Sequence, residues 1–362
     1  MSTILFTRAG QVITCESANE ESVRTGAAVA VSNGRIAAVG AEADLMARFP
    51  GAERVDCRGG VVTPGFVDSH THAVFGRWRA EEYALRCRGV PYMEIARQGG
   101  GINASVNDLR ARSEDELVEI TRPRLRAMLR LGTTTAEVKS GYGLTTEDEL
   151  KMLRAIRRLD EEGPLDLVPT FMGAHEVPPE HRGQRSRYVE LVIQEMIPAV
   201  AEAGLAVFCD VFMEPGVFNP VESRKILEAG LSHGLWPKVH ADELENSGGA
   251  ELAMELNAAS ADHLGQVSDL AIRMFARSDT VATLLPGTLL FLGRKEYAPG
   301  RRLLDAGATV ALATDYNPGS SPSPSMPLIL TVAASQMGFD PLEALVAATA
   351  GGARALRLED GR

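Results

Sequence analysis

The sequence predicts an α/β fold in which a (β/α)8 TIM-like barrel follows a small β-sandwich-like domain built from the N-terminal segment. The first 62 residues carry strand and turn signals, and eight short apolar runs then alternate with longer amphipathic segments. Alternating strands and helices indicate a parallel sheet, and eight repeats indicate a barrel. The predicted domains are residues 1–62 for the β domain, 63–355 for the barrel and 356–362 for the start of a return to the β domain.

The N-terminal domain is predicted from its turns. Residues Val29–Val39 contain two apolar runs joined by Asn33-Gly34, and Asn-Gly between such runs is a strong β-hairpin signal. Two further turn pairs, Gly59-Gly60 and Pro64-Gly65, end the segment. We therefore expect residues 1 to 62 to be all-β.

The barrel is predicted from its apolar runs and from helix signals between most of them. The predicted strands are Phe66–Val67, Thr133–Val138, Leu167–Met172, Ala206–Phe212, Pro237–His240, Ala259–His263, Thr280–Leu285 and Thr309–Thr314. Capping residues and helical spacing predict helices at Ser113 with Glu116, over Glu147–Glu162, at Asn219-Pro220 with Glu222, and at Asp340-Pro341 with Glu343. Pro123 falls inside an otherwise helical stretch and predicts a kink or a break there.

Composition and charge argue against two classes of function. The formal net charge of −11 is opposite to that of a nucleic-acid-binding surface, and no apolar run is long enough for a transmembrane helix. The start of the chain does not resemble a secretory signal, and four scattered cysteines are typical of free thiols in a reducing compartment. We expect a cytoplasmic protein that binds neither nucleic acid nor membrane.

Reactive side chains collect at the predicted strand ends, where barrels carry their chemistry. His70 and His72 end the first strand, and because side chains two apart on a strand share a face, their rings should converge. Five of the seven histidines occupy such positions. Imidazoles and a carboxylate that converge in this way favour a zinc or iron site over hydrogen-bonded structural histidines.

The residue types suggest roles within this cluster. One metal ion, with a position left open for water, would be held by His70, His72, His240 and Asp315. Glu243, three residues after His240, could take a proton from that water. His263 could position the water or polarise a carbonyl. Each residue also has an interpretation without a function. Glu243 could be a solvated loop carboxylate, and His263 could be a core histidine bonded to the backbone.

Lys139, also at a strand end, allows two interpretations. It could be carboxylated and bridge two metals, or it could pair with Glu137 or another carboxylate. We expect the second, because one metal already accounts for the ligands. His181 and His233, in a charged segment and a helix-end turn, are expected to be ordinary surface residues.

Several motifs resemble those of the imidazolonepropionases, a family of the amidohydrolase superfamily. The β-rich N-terminus and Pro64–His72 resemble the superfamily as a whole. The more specific strings are Gln98–Ile102, Thr134–Gly143, Phe171–His175, His240–Glu243, Ser260–His263 and Ala313–Ser320. They occur in the family's order over nearly the whole chain.

The resemblance implies a metal-dependent hydrolase that opens 4-imidazolone-5-propanoate to N-formimidoyl-L-glutamate in histidine degradation, by hydrolysing a cyclic amide C–N bond. It implies one divalent or trivalent metal ion per subunit, zinc or iron, and a homodimer. The positions that match the family's metal ligands are His70, His72, His240 and Asp315. The positions that match its substrate-binding residues are Arg79, Tyr142, His175, Glu243, Asn317, Gly319 and Ser320. Arg77, close to Arg79, does not align.

Three residues would then carry the chemistry. Glu243 would help to deprotonate the attacking water, and His263 would stabilise the tetrahedral oxyanion together with the metal. Asp315 would shuttle a proton to the departing ring nitrogen.

Two other functions stay open. A deaminase of the same superfamily that acts on a nucleobase-like ring is compatible with His240-x-x-Glu243, although Arg79 and the Asn317–Ser320 loop favour a substrate with a carboxylate. A non-catalytic barrel scaffold predicts missing ligands, and the sequence lacks none of them.

The family's usual length raises one expectation about stability. Its members commonly continue for several tens of residues beyond the point matched by Arg362, with strands that complete the small β domain. We therefore expect a truncated chain, or a small domain closed in another way such as by a partner subunit. An incomplete domain would leave an exposed strand edge.

Overall fold

The computed structural model describes residues 3–90, 94–95 and 99–358. Gln98, which begins the Gln98–Ile102 motif, and residues 359–362 of the predicted C-terminal return lie outside the described residues. The chain divides into two compact units, Met1–Gly65 and Phe66–Arg362. How the small domain is completed stays a prediction.

The first unit contains two small sheets. Its strands are β1 (Thr3–Thr7), β2 (Gln11–Ile13), β3 (Val23–Arg24), β4 (Ala27–Ser32), β5 (Arg35–Ala41), β6 (Glu53–Asp56) and β7 (Val61–Val62). One sheet has the order β5-β4-β1-β6 and the other β3-β2-β7. The predicted hairpin is confirmed, since β4 pairs antiparallel with β5 and both Asn33 and Gly34 have positive φ.

The expectation that this unit is all-β is wrong, because it also contains an α-helix and a short 3-10 helix (Glu20–Ser22). Helix α1 (Glu42–Arg48) follows β5, in a run of Glu, Ala, Leu and Met residues that favour helix. Its Leu45 packs with Leu5, Ala28 and Ala30. Residues Ala27 and Val29, which alternate with these along β4, pack instead with Val12 of the other sheet. Strand β4 therefore buries both of its faces, as a sandwich-like core requires.

The second unit is built on eight parallel strands, which confirms the predicted barrel. They are β8 (Phe66–Asp68), β9 (Thr133–Lys139), β10 (Asp166–Ala174), β11 (Phe208–Met213), β12 (Trp236–Ala241), β13 (Ser260–His263), β14 (Val281–Leu284) and β15 (Val310–Leu312). Each strand pairs with the next in chain order. Each of the eight predicted runs overlaps one of these strands.

Helices cover the strands and carry the chain from one to the next. They are α2 (Ala80–Cys87), α3 (Ile102–Arg110), α4 (Glu114–Arg130), α5 (Thr146–Glu162), α6 (Arg185–Leu191), α7 (Ile197–Glu202), α8 (Pro220–Ser232), α9 (Gly249–Glu255), α10 (Asp269–Phe275), α11 (Pro286–Phe291), α12 (Gly300–Asp305), α13 (Met326–Met337), α14 (Pro341–Val346) and α15 (Gly352–Ala355). Among them no helix is both long and apolar enough to cross a bilayer in the part of the chain that the structure describes.

The predicted helix starts are confirmed. Capping boxes form at Ser113, Asn219 and Asp340. A break at Pro123 does not occur, because α4 runs through it. Pro123 and Glu119, whose carbonyl loses its donor, both face solvent, so water can replace the missing bond.

Candidate active site

The barrel closes where two of the predicted site segments meet. The segment after β8 and the segment after β15 join through a parallel bridge between Thr71 and Tyr316. The N–H of Asp315 donates to the carbonyl of His70 at 3.0 Å, and the N–H of His72 donates to the carbonyl of Tyr316 at 2.9 Å. The ends of the first and last strands are therefore held in register beside each other.

Three imidazoles converge at this closure. One ring nitrogen from each of His70, His72 and His240 lies within 4.8 Å of the others, and the two Nε2 atoms of His72 and His240 are 3.4 Å apart. Oδ1 of Asp315 lies 3.6 Å from Nε2 of His70 and 3.7 Å from Nε2 of His72. The structure thus brings together all four residues predicted to hold a metal.

The donor atoms of this cluster fit a cation. Nε2 of His70 is buried and has no hydrogen-bond partner among the described residues, although a buried polar atom normally has one. A cation would satisfy it together with the nearby imidazole and carboxylate atoms. Nitrogen and oxygen donors of this kind suit zinc and iron.

Two carboxylates behind the cluster orient the histidine rings. Oδ2 of Asp262 on β13 accepts a hydrogen bond from Nδ1 of His70 at 2.6 Å, and Oδ2 of Asp210 on β11 lies 3.1 Å from Nδ1 of His240. A carboxylate on one ring nitrogen fixes the tautomer and leaves the other nitrogen as a ligand. Both carboxylates are fully buried.

Two buried lysines balance these carboxylates. Nζ of Lys139 lies 2.6 Å from Asp210 and 2.9 Å from Glu137, which confirms the expectation that this lysine pairs with carboxylates. Nζ of Lys238 lies 3.2 Å from Glu137 and 3.7 Å from Asp262. Two ammonium groups therefore face three carboxylates inside the barrel, where unpaired charges would be strongly destabilising.

The charges in this network set its protonation states. Burial opposes ionisation of both Asp210 and Lys139. The neighbouring His240 and Lys139 nevertheless hold the pKa of Asp210 well below its usual value. Asp210, Glu137 and Asp262 in turn raise the pKa of Lys139 above its usual value. Both groups are charged at neutral pH.

Most of the site histidines are neutral. Burial, followed by the charges of nearby lysine and histidine groups, lowers the pKa of His70, His72 and His263 well below the usual value. Burial and the adjacent His240 lower the pKa of His175 to about 3. Neutral imidazole is the form that binds a metal.

Asp315 is supported by a residue from the segment after β14. The ends of β11 and β14 carry none of the site residues predicted from the sequence. The hydroxyl of Thr288, on α11 after β14, donates to Oδ2 of Asp315 at 2.5 Å. Burial raises the pKa of Asp315 to about 6, and the Thr288 hydrogen bond acts in the opposite direction. Asp315 is thus ionised at neutral pH with its Oδ1 facing the histidines.

Glu243 and His263 lie together beside the cluster. Oε2 of Glu243 is 3.6 Å from Nδ1 of His263, and the Glu243 side chain is 12% exposed. Burial, then the charges of Asp315 and Glu214, raises the pKa of Glu243 well above its usual value. His263 has φ of 80°, and its buried Nε2 lacks a partner in the described part of the chain. A polar atom held in this way is available to a ligand.

A cavity of about 710 Å³ opens over these groups. Most residues predicted to contact the substrate line it, namely Arg79, Tyr142, His175, Glu243, Asn317 and Ser320. Gly319 is absent from its lining. Arg77 is exposed and is not among the residues that line the cavity.

Gly319 instead makes room for Arg79. A Cβ on Gly319 would lie 1.7 Å from Nη2 of Arg79, so only glycine leaves space for the guanidinium. The N–H of Arg79 donates to the carbonyl of Pro318 at 2.9 Å. Nη1 of Arg79 is buried without a hydrogen-bond partner among the described residues, so it can donate to a ligand.

The amide of Asn317 is used by its own loop. Its Oδ1 accepts hydrogen bonds from the N–H groups of Gly319 and Ser320, both at 2.8 Å. Its Nδ2 donates to the carbonyl of Asp315 at 2.7 Å. The side chain therefore shapes the loop between the metal cluster and Arg79.

Tyr142 and His175 form the wall next to His72. The His72 and His175 rings stack with centroids 5.0 Å apart, and Tyr142 lies 5.4 Å from His175. Nδ1 of His175 contacts the carbonyl of Gly141 at 2.9 Å. Gly141 has φ of 100°, a conformation that favours glycine.

The remaining two histidines lie away from the cluster. His181 is partly exposed in a short helical turn (Pro179–His181), and His233 is exposed after α8. Both were predicted to be surface residues.

Sequence reasoning assigned no function to four residues that support the site: Asp210, Glu214, Asp262 and Thr288. Asp262 belongs to the Ser260–His263 motif, but no role was predicted for it. Asp210 and Glu214 belong to or directly follow β11, whose end the sequence left unused. A polar residue in an otherwise apolar strand, two places before Phe212, was the signal that could have found Asp210.

Comparisons with known proteins agree with this architecture. A model described as the amidohydrolase family matches residues 61–361, and one described as the imidazolonepropionase-like composite domain of bacteria matches residues 27–52. Among solved structures, guanine deaminase from C. acetobutylicum is 15% identical, with a TM-score of 0.68 over 99% of this chain and 88% of that chain. An adenosine deaminase from Xanthomonas campestris with bound zinc is 20% identical, with a TM-score of 0.67 over 99% and 81%. At these identities the likeness concerns the fold alone.

Much closer relatives come from sequence. The chain is 50% identical to an imidazolonepropionase of Symbiobacterium thermophilum over 367 residues, which cover 98% of this chain and 86% of that protein. It is 50% identical to an imidazolonepropionase of Myxococcus xanthus over 364 residues, with the same coverage. The chain therefore belongs to the amidohydrolase family and, within it, to the imidazolonepropionases.

Proposed function

We propose that this hydrolase opens the ring of 4-imidazolone-5-propanoate by hydrolysing its cyclic amide C–N bond. The product would be N-formimidoyl-L-glutamate, and the step belongs to histidine degradation. The observation that carries the proposal is that one cavity is lined by the His72 and His240 ligand pair, by the proton acceptor Glu243 and by the buried Arg79. The proposal is also supported by the relatives at 50% identity, which are imidazolonepropionases.

One metal ion, zinc or iron, would be held by His70, His72, His240 and Asp315. The buried, unpartnered Nε2 of His70 supports this assignment. When bound, such an ion supplies Lewis acidity and makes water a nucleophile near neutral pH. One ion uses all four of these ligands. The nearby carboxylates of Glu137, Asp210 and Asp262 are already paired with lysine or histidine groups, so they leave no ligand set for a second ion.

The substrate would be held by its propionate. The guanidinium of Arg79 can bind a carboxylate through two parallel hydrogen bonds. The adjacent 317–320 loop, with Gly319 and Ser320, would hold polar groups of the product. Tyr142 and His175 form the wall against which the imidazolone ring would lie.

The protein groups around the reacting carbonyl would then move the protons. Glu243 takes a proton from the attacking water at a carboxylate oxygen, and its raised pKa makes it a stronger base. His263, in the tautomer that carries a proton on Nε2, donates to the carbonyl oxygen as negative charge develops. Asp315, which is ionised at the start, would accept the remaining proton of the added water oxygen and pass it to the ring nitrogen as the C–N bond breaks. Glu243 would release its own proton to solvent after the product leaves.

The test compares Glu243→Gln with Glu245→Gln, a matched loss of an exposed carboxylate on the same loop. We expect kcat for imidazolonepropanoate hydrolysis to fall at least about 100-fold in E243Q with metal content unchanged, and to stay near wild type in E245Q. Near-normal turnover by E243Q would remove Glu243 from the mechanism.

The same assay separates the alternatives. Ammonia release from nucleobases without loss of imidazolone absorbance would indicate a deaminase instead. Absence of bound metal in elemental analysis would favour a non-catalytic barrel. Elemental analysis also distinguishes zinc from iron and gives the number of ions per chain.

We also propose that the enzyme acts in the cytoplasm as a homodimer. Sedimentation of the purified chain tests the oligomeric state, and cell fractionation tests the location.

A further inference from the structure

We propose that Glu214 is a positioning residue that fixes the loop carrying Glu243. The inference rests on the proposed function in giving Glu243 its role as base. Glu214 directly follows β11 and is 2% exposed. Its Oε1 accepts hydrogen bonds from the N–H groups of Glu243 at 2.5 Å and Leu244 at 3.0 Å. Its Oε2 accepts a hydrogen bond from the N–H of Glu245 at 3.4 Å.

The loop needs an anionic acceptor at this place. Three consecutive N–H groups converge on one side chain, and a carboxylate offers two oxygens with about four acceptor sites. Glutamine offers one oxygen, and its NH2 group would face a donor. Neutral or shorter side chains at position 214 would therefore leave one or more of these N–H groups without a partner.

The far side of the loop is held in the same manner. Asp242 is fully buried with φ of 53°, and its carboxylate accepts hydrogen bonds from the N–H groups of Ser247 at 2.7 Å and Ala250 at 3.1 Å. Asp242 therefore holds the end of the loop after β12, where α9 begins, and Glu214 holds the three residues that directly follow Asp242.

The Glu243 side chain depends on this backbone for its position. Among the described residues the carboxylate of Glu243 makes one ion-pair contact, the 3.6 Å approach of Oε2 to Nδ1 of His263, and this distance is longer than a hydrogen bond. Within the described part of the chain no hydrogen bond to its side chain holds this carboxylate in place, so the loop backbone decides where its oxygens lie. A misplacement of about 1 Å in a reacting group can reduce turnover about 100-fold.

The experiment measures kcat and KM of Glu214→Ala and Glu214→Gln with metal-loaded enzyme. We expect kcat to fall about 100-fold in E214A and about 10-fold in E214Q, with KM within about twofold of wild type. Glu251→Gln is the matched control, because Glu251 on α9 accepts a hydrogen bond from Ser268 and not from this loop. Its kcat should stay at the wild-type value.

A double variant separates positioning from a merely structural role. If Glu214 acts through Glu243, adding E214A to E243Q should lower kcat no further. A further drop equal to that of E214A alone would overturn the proposal, and so would a rise in KM with kcat unchanged.

Hydrogen exchange gives a readout that does not depend on the substrate. The amides of Glu243, Leu244 and Glu245 should exchange faster in E214A than in wild type and E251Q, also in metal-free protein. If the wild type fails to hydrolyse imidazolonepropanoate but these amides lose protection in E214A, the proposed function fails and the positioning role of Glu214 stands. Unchanged protection would overturn the positioning role by itself.

Discussion

The N–H of Asp315 donates to the carbonyl of His70 at 3.0 Å, so one of the backbone hydrogen bonds that join the segments after β15 and β8 also joins two proposed metal ligands. β8 and β15 share no other pairing in the described chain beyond this closure and the Thr71–Tyr316 bridge. An ion held by His70, His72 and Asp315 would therefore fasten the barrel where its strands pair least.

Metal removal should accordingly destabilise the barrel. A ligand present at about 100 times its Kd adds about 2.7 kcal/mol to stability. We expect a chelator to lower the midpoint of thermal unfolding by several degrees, and added zinc or iron to restore it. Calorimetry of the same sample before and after chelation makes the measurement. An unchanged midpoint after complete metal loss would show that the closure is stable without the ion.

Asp262→Asn should weaken metal binding without removing a ligand. The amide oxygen can still accept the Nδ1 proton of His70, but it carries no negative charge. The imidazole therefore becomes a less basic ligand, and its tautomer is held less firmly. Loss of such a partner reduces metal affinity about 10- to 100-fold. Competition with a chromogenic chelator measures the affinity. Asp269→Asn, which removes an exposed carboxylate paired with Arg302, is the control and should bind metal as wild type does.

The strands and the reactive strand ends could be predicted because they follow from local pattern. Apolar runs of two to seven residues predicted the strands. The rule that parallel barrels react at their carboxyl ends then selected His70, His240 and Asp315. Helix caps such as Ser113 were equally local. Helix α1 escaped because turn and strand signals dominate the residues on both sides of it.

The supporting residues could not be predicted because they depend on contacts between distant parts of the chain. Glu214 meets Glu243 and Thr288 meets Asp315 only after neighbouring strands have aligned. Asn317 shows the same limit in another form. Its place in a motif indicated the substrate loop, whereas the use of its amide by the loop backbone is visible only in three dimensions.

The pH dependence of metal binding should reflect Asp315. Burial raises its pKa to about 6, and only the ionised carboxylate binds a cation well, so protons compete below about pH 6 and affinity falls as pH falls. Thr288→Val removes a hydrogen bond that lowers this pKa, and the midpoint of metal release should move to higher pH. Titration of metal content against pH tests this. A shift to lower pH, or none, would contradict the role given to Thr288.

Gly319→Ala should damage substrate binding through Arg79. The new methyl group would overlap the guanidinium, at 1.7 Å from Nη2, and displace it. A charge-assisted hydrogen bond contributes about 1.5–3 kcal/mol, so we expect KM to rise about 10- to 100-fold. Gly183→Ala is the matched control, since a Cβ there meets nothing within 4 Å. Equal KM values in both variants would separate Gly319 from Arg79.

Arg124→Met should destabilise the segment that leads to Arg79. The Arg124 guanidinium donates to the carbonyls of Phe75 at 2.6 Å and Gly76 at 2.7 Å, and it lies 3.4 Å over the Phe75 ring. Burial lowers its pKa to about 10, so it stays charged at neutral pH and serves backbone carbonyls rather than a carboxylate. Methionine fills the space but donates nothing.

Since an unsatisfied buried acceptor costs about 1–3 kcal/mol, the free energy of unfolding of R124M should fall by about 2–4 kcal/mol. Denaturant titration measures it, with Arg126→Met as the exposed control on the same helix. The Phe75 and Gly76 carbonyls lie three to four residues before Arg79, so KM should also rise in R124M. A loss of stability without a rise in KM would mean that Arg124 supports the fold but not the substrate site.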